Sequence, residues 1–304
     1  MKILVTGGAG FIGHNVVNKL ESLGHECYII DSLDTYGIIP EEELNTLLAE
    51  REKYCKAFLA PITLGTDSID IDFEPEIIIH LAGPPGQQFV NADPQLATNT
   101  MIGGTMSLLK KYKVSRFVYV SSSMIYGNFT TDVDEFSSTN PINQYGIFKL
   151  TSELLVKNSG LQYNIVRPSA VYGERSIREK VINKFFLAAI NDQPLEVKGA
   201  NERLDFTYVD DVVDGIILAA LHPQGYNQTY NITRSASRTL LEAAEVVVKI
   251  VGGGDIKVVD RDVNVPKRGT LIIDRAVREL GYSPKTNIEE GFQKCYEWIK
   301  NTVH

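Results

Sequence analysis

Tyr145 and Lys149 lie four residues apart in a stretch whose pattern predicts a helix over residues 143–157. Residues four apart share one face of a helix, so the Lys149 ammonium can lie beside the Tyr145 phenol. A free phenol has a pKa of about 10 and is a poor base at neutral pH, but a nearby cation favours the phenolate. The spacing indicates a tyrosine base activated by a lysine. Taken alone, a Tyr and a Lys at this spacing are far more typical of a solvated helix face.

A glycine-rich loop, Gly7-Gly8-Ala9-Gly10-Phe11-Ile12-Gly13, stands between an apolar segment and a helical pattern. Gly7 permits a tight turn, Gly10 lets a pyrophosphate approach the backbone, and Gly13 lets the helix pack closely on a sheet. Asp31 follows about 20 residues on, where a carboxylate can bind an adenosine ribose. The loop predicts a dinucleotide site, and Asp31 favours NAD over NADP because it would repel a 2′-phosphate. The alternative is that Asp31 caps a loop.

The rest of the chain alternates short apolar runs with amphipathic stretches. The pattern predicts strands at 2–6, 26–30, 77–81, 117–121, 163–167 and near 195–197, and helices at 12–22, 41–53, 94–111, 143–157, 177–190, 209–221 and 240–251. This alternation predicts an α/β fold, namely a doubly wound parallel (Rossmann) sheet with a smaller mixed α/β C-terminal domain. We expect residues 1–167 and about 204–232 to form the cofactor domain, and about 168–203 and 233–304 the second domain.

Composition excludes several classes of protein. The net charge of −8 is spread along the chain without a basic cluster, which argues against nucleic acid or anionic membrane as a partner. Three distant cysteines, Cys27, Cys55 and Cys295, favour neither a metal site nor disulfides and fit a reducing cytosol. No leader pattern or long apolar run is present, so we expect a cytoplasmic protein without a metal or membrane anchor.

Further motifs follow the glycine loop in a fixed order along nearly the whole chain. They are His80-Leu81-Ala82, Asn99, the segment from Ser121 to Gly127, Tyr145 with Lys149, Arg167-Pro168-Ser169-Ala170-Val171-Tyr172-Gly173, Asp205-Phe206-Thr207-Tyr208-Val209-Asp210-Asp211 and Leu280-Gly281-Tyr282-Ser283-Pro284. In these motifs the chain resembles the extended short-chain dehydrogenase/reductases, specifically the nucleotide-sugar epimerases and dehydratases.

The resemblance implies NAD as cofactor, a nucleotide-diphospho-sugar bound by the second domain, and a homodimer formed through helices 94–111 and 143–157. The implied catalytic residues are Ser122, Tyr145 and Lys149, with Ser123 as an alternative to Ser122. The expected cofactor contacts are Gly7, Gly10, Phe11, Ile12, Gly13, Asp31, Ile62, Leu81, Ala82, Asn99, Tyr145 and Lys149. The expected substrate contacts are Gln87, Gln88, Ser123, Arg203 and Arg268. Solvated loop glutamines and a surface role for Arg203 are the alternatives.

Departures from the family pattern narrow the range of reactions that we expect this chain to catalyse. The dehydratases carry an Asp-Glu pair directly after the catalytic hydroxyl residue, and the related UDP-glucuronate decarboxylases carry a Glu at the second of these positions. This chain has Ser123 and Met124 there, so neither loss of water nor decarboxylation is favoured, whereas epimerisation needs neither acid. The segment Asp34-Thr35-Tyr36 and the polar stretch after it resemble the insertion of UDP-glucuronate 4-epimerases.

Other departures concern the binding residues. Ala170 replaces an Asn that commonly contacts substrate phosphate, Pro61 an Asp beside the adenine, and Leu204 a frequent Arg. Arg203 and Arg268 remain to pair with a diphosphate. The predicted function is NAD-dependent epimerisation of a nucleotide-diphospho-sugar at C4 through a transient keto intermediate. The alternatives are a decarboxylase-like or other nucleotide-sugar-modifying enzyme, and a catalytically inactive NAD-binding protein.

Overall fold

The computed structural model describes residues 1–65, 69 and 71–302. Its strands are β1 (Lys2–Thr6), β2 (Glu26–Asp31), β3 (Phe58–Pro61), β4 (Ile77–His80), β5 (Arg116–Val120), β6 (Tyr163–Pro168), β7 (Val171–Tyr172), β8 (Leu195–Lys198), β9 (Arg203–Leu204), β10 (Thr207–Tyr208), β11 (Gln228–Ile232), β12 (Arg238–Thr239) and β13 (Ile256–Val259). Seven of them form one parallel sheet in the order β11-β6-β5-β4-β1-β2-β3. The predicted doubly wound sheet is confirmed.

Helices pack around this sheet and continue into the C-terminal part. They are α1 (Phe11–Ser22), α2 (Glu41–Glu52), α3 (Gln87–Ala92), α4 (Pro94–Thr98), α5 (Gly104–Lys111), α6 (Gln144–Lys157), α7 (Val181–Ile190), α8 (Val209–Leu221), α9 (Leu240–Val251), α10 (Asp274–Leu280) and α11 (Ile288–Thr302). Across the described residues, we find no helix with the length and apolar character needed to span a bilayer.

Two predicted helices differ from the observed ones. The helix expected over 94–111 is interrupted by a π-helical turn at Asn99–Gly103, between α4 and α5. The helix expected from residue 177 begins at Val181. The strand β3 is not predicted because it has only four residues and ends in Pro61, and a proline argues against a strand in the interior of a sheet. The strand lies at the edge of the sheet, where Phe58 is 72% exposed.

The centre of the sheet is apolar on both faces, as a parallel sheet covered by helices requires. Every residue of β4 and β5 is buried, as are the last four of β1. Because parallel strands all point the same way, their carboxyl ends lie at one edge of the sheet, where ligands bind in folds of this kind.

The residues after β6 are divided between the large sheet and smaller ones. The strand β11 pairs with β6 in the large sheet, whereas β7 pairs with β10, β8 with β13, and β9 with β12 in two-stranded sheets. The helix α9 begins with a capping box between Thr239 and Glu242, and it ends before Gly252, which has a φ of +86°. The predicted domain boundaries are consistent with this division but stay a prediction.

Candidate active site

A cleft of about 420 Å³ opens at the carboxyl edge of the sheet. It is lined by the last residue of β2 and by residues directly after β1, β4 and β5, namely Asp31, Gly7, Leu81 and Ser121. On the other side it is lined by α7 and by residues of the C-terminal part, including Arg268. The fold therefore brings the glycine loop and the Tyr145 helix to one cavity.

The glycine loop is packed too tightly for side chains. Gly7 has a φ of +71°, and a Cβ there would lie 2.8 Å from the Ala82 backbone nitrogen. A Cβ on Gly13 would overlap the Gly7 carbonyl oxygen, and a Cβ on Gly10 would lie 3.0 Å from that same oxygen. The loop leads directly into α1, whose N-terminal backbone N–H groups favour an anion. This bare backbone cradle fits the pyrophosphate of a dinucleotide.

Asp31 is held in the cleft by backbone donors. Its Oδ2 accepts a hydrogen bond from the Ala9 N–H at 3.0 Å, and its Oδ1 accepts one from the Leu33 N–H at 2.9 Å. Burial raises the pKa of Asp31, and these two hydrogen bonds oppose the rise. The carboxylate keeps further lone pairs for ribose hydroxyls. The other predicted cofactor contacts that line the cleft are Phe11, Ile12, Ile62, Leu81 and Ala82.

The helix α2 supplies a cleft residue that the motifs do not contain. Arg51 is buried and donates one hydrogen bond to the Ala9 carbonyl oxygen at 2.9 Å and another to the Arg175 carbonyl oxygen at 2.8 Å. Its Nε has no hydrogen-bond partner among the described residues. Leu44 and Leu48 line the cleft from the same helix. In the sequence, these leucines were the available signal that α2 packs against the site.

The structure brings Ser122, Tyr145 and Lys149 together in the cleft. The Asn143 side chain caps α6 by accepting a hydrogen bond from the Gly146 N–H at 3.0 Å, so the helix begins just before Tyr145. The Lys149 Nζ lies 5.9 Å from the centroid of the Tyr145 ring and donates a hydrogen bond to the Val120 carbonyl oxygen at 2.8 Å. The helix face that carries Tyr145 and Lys149, predicted from their spacing, therefore contacts the end of β5.

The pKa of Tyr145 is not lowered towards neutral pH as the spacing predicted, because burial dominates. Burial raises the pKa of Tyr145 to about 12, and a hydrogen bond with the Ser122 hydroxyl opposes this rise. Burial also lowers the pKa of Lys149 to about 8, opposed by the negative charge of Glu153. The loss of water around both groups outweighs the attraction that the spacing suggested.

A buried ion pair lies one helical turn beyond Lys149. The Arg167 guanidinium binds both carboxylate oxygens of Glu153, with Nε to Oε1 at 2.9 Å and Nη2 to Oε2 at 2.7 Å. Arg167 also donates to the Tyr126 hydroxyl at 2.8 Å. A bidentate pair of this kind keeps Glu153 ionised, and its pKa is lowered by Arg167 despite burial. The pair fixes α6 against β6, one helical turn after the predicted catalytic residue Lys149.

The two candidate serines have different partners. Ser122 precedes the 3₁₀ turn Ser123–Tyr126, and its hydroxyl accepts a hydrogen bond from the Met124 N–H at 3.2 Å as well as bonding to Tyr145. The Ser123 hydroxyl is buried and donates to the Ser169 hydroxyl at 3.1 Å. The geometry therefore joins Ser122, rather than Ser123, to the phenol.

The predicted substrate residues are only partly gathered in the cleft. Gln87 and Arg268 line it, and the Nε of Arg268 has no hydrogen-bond partner among the described residues. Burial lowers the pKa of Arg268 to about 10. Gln88 is exposed outside the cleft. Arg203 is also outside it and donates two hydrogen bonds to Ser237, to the hydroxyl at 3.1 Å and to the carbonyl oxygen at 2.7 Å.

Other positions in the cleft differ from expectation. Asn99 belongs to the π-helical turn and accepts a hydrogen bond from Gln95 at 3.0 Å, while the next residue, Thr100, lines the cleft. Ala170 and Leu204, which replace polar residues of the family pattern, line the cleft and make this wall apolar. Lys180 also lines it. No sequence motif contains Lys180, so only the fold could identify it.

Known proteins match this chain over nearly its whole length. A family model described as "NAD dependent epimerase/dehydratase family" matches residues 3–233. Protein CapI of Staphylococcus aureus is 27% identical, covering 98% of both chains. The structure of UDP-glucose 4-epimerase from Thermotoga maritima with UDP-glucose is 28% identical over 100% of both chains, with a TM-score of 0.87. That of UDP-glucuronic acid 4-epimerase from Bacillus cereus with UDP-glucuronic acid and NAD is 26% identical over 99% of both, with a TM-score of 0.88.

These findings confirm the recognised family and the NAD cofactor. The family is NAD-dependent, and NAD is present in the Bacillus cereus complex. The glycine cradle and the Asp31 carboxylate of this chain fit that cofactor. The matched segment begins at β1 and ends just after β11, and so includes every strand of the large sheet. The chain belongs to the NAD-dependent epimerase/dehydratase family.

Proposed function

We propose that this protein is a nucleotide-sugar 4-epimerase, which inverts the hydroxyl configuration at C4 of a nucleotide-diphospho-sugar without net oxidation. The observation that carries the proposal is the set of Ser122, Tyr145 and Lys149 in a cleft whose adjoining turn holds Ser123 and Met124. The first three residues suit removal of a hydroxyl proton. Ser123 and Met124 offer no carboxylic acid for elimination.

Within the proposed reaction, each residue has a separate role. Tyr145 takes the proton from the C4 hydroxyl, and Ser122 holds that oxygen by hydrogen bonding. When bound, NAD supplies a hydride acceptor and donor and, in its oxidised form, a positive charge. Lys149 stands over the end of β5 with its ammonium held by the Val120 carbonyl oxygen, so its charge stays near the phenol. A cation beside the phenol favours the phenolate form.

The substrate class is supported by the cleft's cations and by the relatives. Arg268 is half-buried, and its buried Nε has no hydrogen-bond partner among the described residues, which suits a diphosphate oxygen. The two 4-epimerase structures contain UDP-glucose and UDP-glucuronic acid. We therefore infer a uridine-diphospho-sugar as substrate. Ala170 and Leu204 leave fewer polar contacts on one wall, so Arg268 carries more of the diphosphate binding.

The test uses UDP-sugars deuterated at C4. An epimerase that removes and returns the same hydride gives a product of unchanged mass that still carries deuterium at C4, with inverted configuration and no net NADH. NMR and mass spectrometry of the products measure this. Loss of water, loss of carbon dioxide or stoichiometric NADH would overturn the proposal, and loss of carbon dioxide would favour a decarboxylase.

A further inference from the structure

Lys180 is a cleft residue to which the proposed reaction assigns no role. It immediately precedes α7, and its Nζ donates a hydrogen bond to the Pro85 carbonyl oxygen at 3.1 Å. Pro85 belongs to the loop between β4 and α3, which forms another part of the cleft wall. The lysine therefore reaches across from the C-terminal side of the cleft to the loop that follows the central strand.

The Lys180 ammonium has no acidic partner among the residues that the structure describes. The adjacent Glu179 is instead paired with Lys184 at 2.7 Å. Burial alone lowers the pKa of Lys180, to about 8, so the group remains mainly protonated at neutral pH. An ammonium has three donors, and one of them is used by Pro85. A half-buried cation that lines the cleft with unused donors favours an anionic ligand.

The contacts of Lys180 connect it to the end of the cleft that contains Tyr145. Directly after the loop that contains Pro85, at the start of α3, the Gln87 side-chain oxygen accepts a hydrogen bond from the Tyr145 N–H at 2.9 Å. The loop thus connects the Lys180 ammonium to the first turn of α6, where the catalytic phenol lies. Arg268 is a second cation that lines the same cleft. With Arg268 on the diphosphate, Lys180 is left for a second negative group.

We propose that Lys180 binds a carboxylate carried by the sugar, and thereby selects nucleotide-linked uronic acids over neutral nucleotide sugars. This inference rests on the proposed function, because it places the reacting sugar beside Tyr145. A hydroxymethyl group cannot replace the carboxylate, since it brings no charge to the Lys180 ammonium. A diphosphate oxygen shares the same chemistry and is the competing source of the negative charge.

Calorimetry of the NAD-loaded enzyme with UDP-glucuronate and with UDP-glucose tests the proposal. The wild type should bind UDP-glucuronate at least about 10-fold more tightly, and Lys180→Met should weaken it about 10- to 100-fold, as expected for a charge-assisted hydrogen bond. UDP-glucose affinity should change by less than about threefold. Lys184→Met is the matched control, because Lys184 is exposed on the same helix and pairs with Glu179.

Three results of these measurements would overturn the proposal. Equal losses for both sugars would assign Lys180 to the diphosphate, and unchanged affinities in Lys180→Met would remove it from substrate binding. A wild type without preference for UDP-glucuronate would overturn it without any variant. Binding is measured apart from turnover, so a Lys180-dependent preference in an enzyme that epimerises neither sugar would refute the proposed function and leave this inference standing.

Discussion

The Tyr145 phenol and the Lys149 ammonium both start from unfavourable states. Burial raises the pKa of Tyr145 to about 12 and lowers that of Lys149 to about 8, so raising the pH removes the lysine charge before the phenol ionises. The two groups alone therefore rarely form a phenolate beside an ammonium. A bound positive charge would favour it, which connects proton removal to the presence of oxidised cofactor. The two residues could be predicted from the sequence, but the loss of water around them could not.

Replacing Tyr145 tests its role as the base. Tyr145→Phe keeps the ring and removes the hydroxyl, so turnover should fall by about 10² to 10⁴ while NAD binding is kept. Steady-state kinetics and calorimetry with NAD measure the two effects. Near-wild-type turnover would show that another group takes the proton.

The two serines give a sharper residue-level test. Ser122 bonds to the phenol, whereas Ser123 bonds to Ser169. Ser122→Ala should lower turnover by roughly 10², and Ser123→Ala by less than about 10-fold, the loss of an ordinary hydrogen bond. The sequence left this choice open because neighbouring serines look alike until the turn directs their side chains. A larger loss in Ser123→Ala would reverse the assignment.

At the scale of elements, regular patterns were predictable and local interruptions were not. The buried strands β1, β4 and β5 have continuous apolar runs, so their positions follow from the sequence. The π-helical turn at Asn99–Gly103 has no such signal, because it changes backbone hydrogen bonding without changing the pattern of side chains. The contacts of α2 depend on distant segments meeting, because Arg51 lies 42 residues from Ala9 in the glycine loop and 124 residues from Arg175.

The helix α2 is expected to help retain the cofactor. Arg51 donates hydrogen bonds from α2 to the carbonyl oxygens of Ala9 and Arg175. The bond to Ala9 ties α2 to the glycine loop. Arg51→Met removes both hydrogen bonds while keeping an apolar stem, and it should raise the Kd for NAD by about 10-fold. Lys53→Met, at the exposed end of the helix, is the control. Equal Kd values for NAD in wild type and Arg51→Met would assign Arg51 to stability alone.

At the scale of the molecule, the charge of the cleft opposes that of the chain. The net charge is −8, yet the described cleft residues include four basic side chains, Arg51, Lys149, Lys180 and Arg268, against the acidic Asp31 and Asp34. A positive cleft in an acidic protein suits ligands with several negative charges, such as a dinucleotide and a nucleotide-diphospho-sugar. The net charge in the sequence argues against nucleic acid as a partner, but only the fold reveals where the basic groups gather.

The outer faces of α5 and α6 support the predicted homodimer. Met106 on α5 is 54% exposed, and Ile147 and Leu154 on α6 are 46% and 53% exposed. Ile147 and Leu154 are seven residues apart and so lie on one face of the helix, where apolar side chains favour burial against another surface. In a symmetric dimer these faces would pack against their own copies.

A charged substitution in this face tests the assembly. Leu154→Glu would place a carboxylate opposite its symmetry mate or in an apolar contact, so the dimer should dissociate to monomers at micromolar concentration. Light scattering across a concentration series measures the mass. Leu23→Glu is the matched control, because Leu23 is 52% exposed at the end of α1, away from both helices, and should leave the dimer intact. A monomeric wild type, or a Leu154→Glu variant that remains dimeric, would contradict this interface. Because neither substitution lies in the cleft, NAD binding should be kept in both variants, which separates loss of assembly from loss of fold.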